Sequence, residues 1–327
     1  MIFLVLIIGN TTSGCVLNSF LIYTLGMTNN PVYSIIIPHH NIPLLLDRCL
    51  SSIPQREDVQ IIVVDDCSSE KYCNQLHKLE RKFNYIEFIF SKECVGGGQA
   101  RNIGLEHAFG KYVIFADADD FFNYCVDSVL NEYKDKEFDI AYFKGNSLDT
   151  NSYLPSNRVA HLNNYIDLYC SGKDKYADKL RYLFGEPWCK IIKRELIVVN
   201  NIKYDETKIH NDTTFAYLIG FYARYILVDK RALYCVTTRQ DSVSRIISND
   251  RVLSRISVFG RAELFFKKND IKVPLYTHYV QLVRLLVYGK LFLFRECVKI
   301  LSDLGYSKLE ICFKIVKTFV LIITKRI

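Results

Sequence analysis

The chain has 327 residues, half of them hydrophobic, too apolar for a disordered polymer and enough for one large or two modest domains around a sizeable core. Its formal charge of +7 falls well short of a dedicated nucleic-acid binder, so nucleic acid is set aside as a partner; anionic small substrates or an anionic membrane surface suit it better. Eleven cysteines, an odd number, stand singly with no C-x-x-C pair, the pattern of reduced thiols in a cytoplasmic protein and not of a zinc site or a disulfide framework.

Residues 1–30 read as an apolar leader, with no charge before Asp47. As a signal peptide the stretch lacks a basic n-region, and as a membrane span it is diluted by Gly9-Asn10-Thr11-Thr12-Ser13-Gly14. A translation start at Met27 is the favoured third reading, because Tyr33 already opens a strand. Residues 33–37 form that strand, stopped by Pro38. Ile42, Leu45, Leu46, Cys49, Leu50 and Ile53 recur at helical spacing, with Pro43 suited to a first turn. Strands at 61–64, 88–90 and 112–116 then alternate with helices marked by Tyr72, Leu76, Leu79 and Phe83, and by Ala100, Ile103, Gly104 and His107. Strands apolar throughout and alternating with helices predict an α/β fold, a mostly parallel sheet covered on both faces.

In such sheets ligands gather at the carboxyl ends of the strands. Those ends carry Pro38-His39-His40-Asn41, Asp65-Asp66-Cys67-Ser68, Gly96-Gly97-Gly98 and Asp117-Ala118-Asp119-Asp120. Three carboxylates within four residues repel one another unless a cation compensates, and a hard divalent ion, Mn2+ or Mg2+, shared with phosphate oxygens is the economical answer. The competing reading is a solvated loop in which Asp119 or Asp120 caps the next helix. Asp65-Asp66 is open to both a turn-capping role and a ligand-binding one. The three glycines with Arg101 fit either a close approach to phosphate or a plain loop; neither G-x-G-x-x-G nor a Walker loop is present.

Beyond Asp139 the periodicity weakens. Trp188, the single tryptophan, reads as core. Asp212 stands just before an apolar helix over 215–222, either as a cap or as a general base facing the cleft. Residues 280–327 mix Leu, Ile, Val and Phe with Arg284, Lys290, Arg295, Lys299, Lys308, Lys314 and Lys317, without an unbroken apolar run of about twenty. Basic amphipathic helices on a membrane surface, and helices packed on the preceding domain, both fit.

Four motifs in order, Ile36-Ile37-Pro38-His39-His40-Asn41, Val64-Asp65-Asp66-Cys67-Ser68, Ala100-Arg101-Asn102-Ile103-Gly104 and Asp117-Ala118-Asp119-Asp120, resemble those of the family 2 glycosyltransferases. Trp188-Cys189-Lys190, Asn211-Asp212 and Arg239-Gln240-Asp241-Ser242-Val243-Ser244 look like the family's later elements. The resemblance implies the GT-A fold over 31–245, with a nucleotide-binding half at 31–139, an acceptor half at 140–245 and a helical region at 246–327. It implies that Pro38, His40, Asn41, Asp66, Arg101, Asp117 and Arg239 contact the donor, that Asp117 and Asp119 hold the metal, and that Asp212 is the catalytic base. Two positions depart from the pattern: His40 replaces the usual tyrosine, and Asn211 the usual glutamate.

The implied activity is inverting transfer from a nucleotide-diphosphate sugar to a hydroxyl of a saccharide or lipid-linked acceptor, in cell-surface polysaccharide or oligosaccharide assembly. The expected location is cytoplasmic, peripheral at the inner face of the membrane. Arg239 or Arg245, on a mobile segment, is expected to close over the diphosphate. A sugar nucleotidyltransferase and an inactive sugar-binding assembly protein are the alternatives.

Overall fold

The computed structural model describes residues 31–172, 176–207, 209–239 and 248–324. The leader and Arg245 lie outside the described residues. The fold begins with a parallel unit in which β1 (Tyr33–His39), β2 (Val59–Asp65), β3 (Glu87–Phe90) and β4 (Tyr112–Phe115) are joined by α1 (Pro43–Ser51), α2 (Glu70–Lys82) and α3 (Gly96–Glu106). β1 and β2 are apolar on both faces because both faces are covered, and Ile35, Ile36, Ile62, Val63 and Phe115 are wholly buried. Burial of each such side chain contributes about 1.5–3 kcal/mol. Gly104 lets α3 lie directly on β1, since a Cβ there would stand 2.4 Å from Ile36.

Past β5 (Phe121–Phe122) and α4 (Val126–Tyr133) come β6 (Ile140–Asp149), α5 (Ala160–Gly172), α6 (Ala177–Leu183), β7 (Lys190–Lys193), α7 (Arg194–Val199), α8 (Asn211–Tyr222) and β8 (Ile226–Thr238). The sheet runs β3-β2-β1-β4-β7-β6-β8-β5. β7 is antiparallel to both β4 and β6, β5 is antiparallel to β8, and β6 pairs in parallel with β8. Trp188 is core, stacked on Tyr234 with ring centroids 6.0 Å apart.

The last four helices are α9 (Asn249–Lys268), α10 (Thr277–Val287), α11 (Leu291–Asp303) and α12 (Lys308–Ile323). They share a core of their own around Ile256, Tyr279, Leu282, Cys297 and Leu301. Glu263 is its polar centre, accepting from Tyr279 (2.7 Å) and Lys314 (2.5 Å) and pairing with His278 (3.1 Å). Burial acts to raise the Glu263 pKa, but these partners outweigh it and hold the carboxyl at about 2. Phe265 and Phe266 pack on Tyr217 of α8, so the bundle is docked against the sheet domain. Among the described residues no helix is long and apolar enough to cross a membrane.

Two local expectations are corrected. Cys67 and Cys94 form a disulfide with Cα atoms 5.0 Å apart, so the thiols are not all reduced. The two cysteines sit on the loops that leave β2 and β3, which the sheet brings side by side; a separation of 27 residues hides that in the sequence. The glycine run is the first turn of α3 and not a loop, because the Asp66 carboxylate accepts from the backbone N–H of Val95 (2.6 Å) and Gly96 (3.0 Å).

Candidate active site

At the carboxyl end of β1 the His39 backbone pairs in register with Asp65 of β2, and His39 Nδ1 lies 2.7 Å from the Asp65 carboxylate. Ser68 adds its hydroxyl (2.6 Å) and its N–H (2.9 Å) to the same carboxylate. Burial pushes the Asp65 pKa upward, yet the His39 and Ser68 bonds prevail and hold it below the usual range. Asp65 is thereby committed to the fold, and its neighbour Asp66 borders the cleft while capping α3. His40 reaches back to the Asp66 carbonyl at 2.7 Å. Asn41, in the left-handed region with φ of 61°, accepts through its side chain from the Ser69 N–H and through its own N–H donates to Ser68. Asn41 ties two loops together and does not line the cleft, whereas Pro38 and His40 do.

The acidic run after β4 divides into three roles. Asp117 accepts from Arg101 at 2.5 Å. Asp119 faces Arg239 across 3.2 Å, and its backbone carbonyl accepts from Arg48 and Thr237 (2.5 Å each). Asp120 is buried, accepts from the Thr237 N–H at 2.7 Å, and is pushed well above the usual carboxylate range by burial and then by Asp119 and Asp117. Neither Asp119 nor Asp120 caps a helix; the run turns directly into β5. Burial and the Asp117 charge also raise the pKa of Asp119, so two carboxylates that repel each other border one cleft.

Arg101 joins this edge to the opposite wall. Besides Asp117 it donates to Asn211 at 3.4 Å, at the start of α8, and its guanidinium lies 5.4 Å from the Tyr204 ring centroid. Gly98 makes the crossing possible, because a Cβ there would stand 2.2 Å from the Asp205 carbonyl oxygen. Asp212 follows in the first turn of α8, where burial raises its pKa to about 6; Arg101 opposes the rise, and Glu186 and Asp117 add to it. Glu186 stands on a loop held from below by Lys190, whose buried ammonium donates to the carbonyls of Phe184 (2.9 Å) and Glu186. Burial lowers the Lys190 pKa to about 8. Burial acts to raise the Glu186 pKa, but His161 at 3.4 Å and the Lys190 charge keep that carboxyl below its usual range.

These groups share one open cleft of about 800 Å3, which brings together Asp66, Arg101, Asp117, Asp119, Asp212 and Arg239. It also contains Glu186, His210, Arg251 and Arg255, which sequence reasoning passed over. Two arginines spaced i, i+4 were the available signal for the last pair. Nothing in the spacing announced Glu186.

For a metal, the chemistry of the donor set fits a hard divalent ion. Asp117 and Asp119 each give one oxygen to an arginine and keep another for a ligand. Among the described residues no group of three or more His, Cys, Asp or Glu gathers at one point. Two carboxylates leave most of such an ion's shell open to water and phosphate oxygens.

The family model "Glycosyl transferase family 2" matches residues 34–198, just over half of the chain. A "Cholesterol galactosyltransferase" of Borreliella burgdorferi is 26% identical over 321 residues, covering 88% of this chain and 87% of that protein. In overall structure the chain resembles S. aureus TarS 1–349 in complex with UDP-GlcNAc, with a TM-score of 0.53 and 18% identity over 88% of this chain and 79% of that one. It also resembles the mannosyltransferase PcManGT of Pyrobaculum calidifontis in complex with GDP-Man and Mn2+, with a TM-score of 0.52 and 14% identity over 90% of this chain and 81% of that one.

Proposed function

The chain belongs to glycosyl transferase family 2, with the GT-A fold, and from that premise we propose an inverting sugar transfer in which Asp212 is the general base. The protein is a glycosyltransferase with a nucleotide-sugar donor. The observation that carries the reading is the shared cleft, where Asp212, with its pKa raised to about 6, faces carboxylates tied to arginines. A base near neutrality at one wall and a phosphate-binding edge at the other suit attack by a hydroxyl as a diphosphate departs.

In this mechanism Asp66, His40 and the Pro38 turn border the nucleotide, and Arg101 and Arg239 border the diphosphate. Asp117 and Asp119 would hold Mn2+ or Mg2+, whose positive charge would offset that of the departing diphosphate. The acceptor hydroxyl gives its proton to Asp212 as its oxygen bonds to the anomeric carbon, and the bond to the diphosphate oxygen breaks. The acceptor is a saccharide or a lipid-linked hydroxyl compound. Burial keeps the Asp212 pKa raised, and the Glu186 charge adds to that.

The same reading places the protein on the inner membrane face. On α12, Leu309, Phe313, Val316, Val320 and Ile323 are exposed at helical spacing, with Lys308 and Lys317 exposed on the same helix. Tyr288, just after α10, and Phe292, in the first turn of α11, are exposed too.

The deciding experiment is a thermal-shift screen of nucleotide sugars with and without Mn2+, because a selectively bound donor stabilises the folded state. One donor raising the melting temperature only with metal is the expected result. A donor-independent profile overturns the reading. Co-sedimentation with phosphatidylglycerol vesicles tests the membrane face; Phe313→Asp with Val320→Asp is expected to abolish it.

A further inference from the structure

The side of the cleft lined by α9 is basic. Arg251 and Arg255 lie one turn apart on α9 and both line the cavity. Like charges at this spacing destabilise a helix unless an anion stands between them. Among the described residues no carboxylate forms an ion pair with Arg251, Arg255 or the nearby Arg284. Arg255 turns instead to neutral acceptors, donating to His210 Nε2 at 3.0 Å and to Gln281 at 3.4 Å.

His210 explains why this side stays basic without becoming more so. Burial, then Arg255 and Arg251, lowers its pKa to about 4, so at neutral pH it is uncharged. Its Nε2 accepts from Arg255, which leaves the proton on Nδ1. The ring is held edge-on to Phe259 with centroids 5.2 Å apart, and its backbone takes the left-handed conformation with φ of 55°. This backbone costs free energy and sits directly before α8. Burial, with Arg284 and Arg251, also lowers the pKa of Arg255, as expected for guanidiniums crowded together without a counter-charge.

We propose that Arg251 and Arg255 form an anion subsite for the acceptor, and that the hydroxyl compound glycosylated here carries a phosphate group. Guanidinium pairs match phosphate oxygens in number and geometry. The Asp117–Asp119 edge and Arg101 serve the donor diphosphate, and the α9 arginines meet the cleft at His210, beside the Asn211 that Arg101 reaches. This inference rests on the transfer reading for the hydroxyl, but the anion subsite stands on its own observations.

The test titrates the full-length protein with inorganic phosphate by calorimetry, alone and with saturating UDP or GDP plus Mn2+. Phosphate is expected to bind in both conditions, and R251Q/R255Q to weaken it about tenfold or more while nucleotide affinity stays within about twofold. Dimethyl phosphate and dihexanoyl phosphatidic acid, titrated in parallel, separate a phosphodiester chain from a lipid headgroup as the natural source. Displacement of phosphate by the nucleotide, with nucleotide binding weakened in the variant, assigns the arginines to the donor and overturns the proposal. Phosphate binding unchanged in the variant overturns it too. If no nucleotide binds yet phosphate does, and only in the wild type, the subsite is upheld and the donor reading falls. R251Q alone repeats the measurement should the double variant fail to fold.

Discussion

Between residues 31 and 139 the carboxylates at the cleft edge stand on loops that follow parallel strands, and three of them are fixed by a partner from the same half of the chain. Asp65 has His39 and Ser68, Asp66 has two N–H groups of α3, and Asp117 has Arg101. Beyond residue 140 the cleft groups stand mainly on helices and on one supported loop, with Arg239 directly after β8 and His210 directly before α8. Asp212 rises from α8, Arg251 and Arg255 from α9, and Glu186 from a loop propped by Lys190. The first wall is set by strand order and the second by helix docking. The first wall therefore pins Asp65, Asp66 and Asp117 by hydrogen bonds, while the second leaves Asp212 with a pKa of about 6, available to take a proton.

The sharpest way to break this comparison is to remove the reactive group from the second wall. Asp212→Asn is expected to lower kcat by about 10²–10⁴-fold with donor affinity retained. Because the Asp212 pKa is raised, the carboxyl is protonated and useless as a base below about pH 6, so the wild-type rate falls as pH drops through that value. The variant's residual rate should lack this limb. A limb surviving near pH 6 in steady-state kinetics assigns the proton transfer to another group.

The complementary change strikes the first wall. Asp119→Ala is expected to lower metal-dependent transfer on the order of 10²-fold or more. The fold should not suffer, because burial and Asp117 already make the Asp119 charge unfavourable there. Calorimetric melting should show a temperature equal to or above wild type, with donor-induced stabilisation lost. A variant that melts much lower makes Asp119 a structural residue and shifts the metal assignment.

The two walls also differed in how far they could be read in advance. The four parallel strands, α1 to α3 and the acidic strand ends follow from apolar runs and local spacing, since each strand is buried on both faces and each helix shows one stripe. The antiparallel β7 and the long β6 and β8 escaped, because β8 mixes buried with half-buried positions over thirteen residues and shows neither simple period. The Arg101–Asn211 bridge spans 110 positions and the Thr237–Asp120 bond 117, and no local pattern reports contacts of that range. The Cys67–Cys94 bond was missed for the same reason. Asp66 was legible as a cleft residue, but its capping of α3 was not, since the helix it caps begins 30 positions later.

A smaller effect comes from the support under the second wall. Lys190→Met removes the donor shared by the carbonyls of Phe184 and Glu186, two acceptors then left poorly satisfied. Part of that loss is offset by no longer burying an ammonium, so the net destabilisation expected is about 1–3 kcal/mol. Urea unfolding measures it, and kcat should fall as the Glu186 loop loosens. Unchanged stability with full activity leaves the loop supported by Trp188 packing alone.

The smallest expected effect concerns the first wall's framework and has a defined pH signature. Asp65→Asn weakens the bonds to His39 and Ser68 and should cost about 1–2 kcal/mol at pH 7. The Asp65 pKa is held below its unfolded value, so its contribution is complete above about pH 4 and is lost as pH falls through the folded value. The gap in urea midpoint between wild type and variant should then be constant from pH 7 down to about pH 5 and narrow below about pH 4. A gap that stays open in acid shows that the side-chain shape at this position matters and its charge does not. The first wall is then held by packing around β1 and β2, and the distinction between a charge-pinned and a helix-docked wall loses its basis.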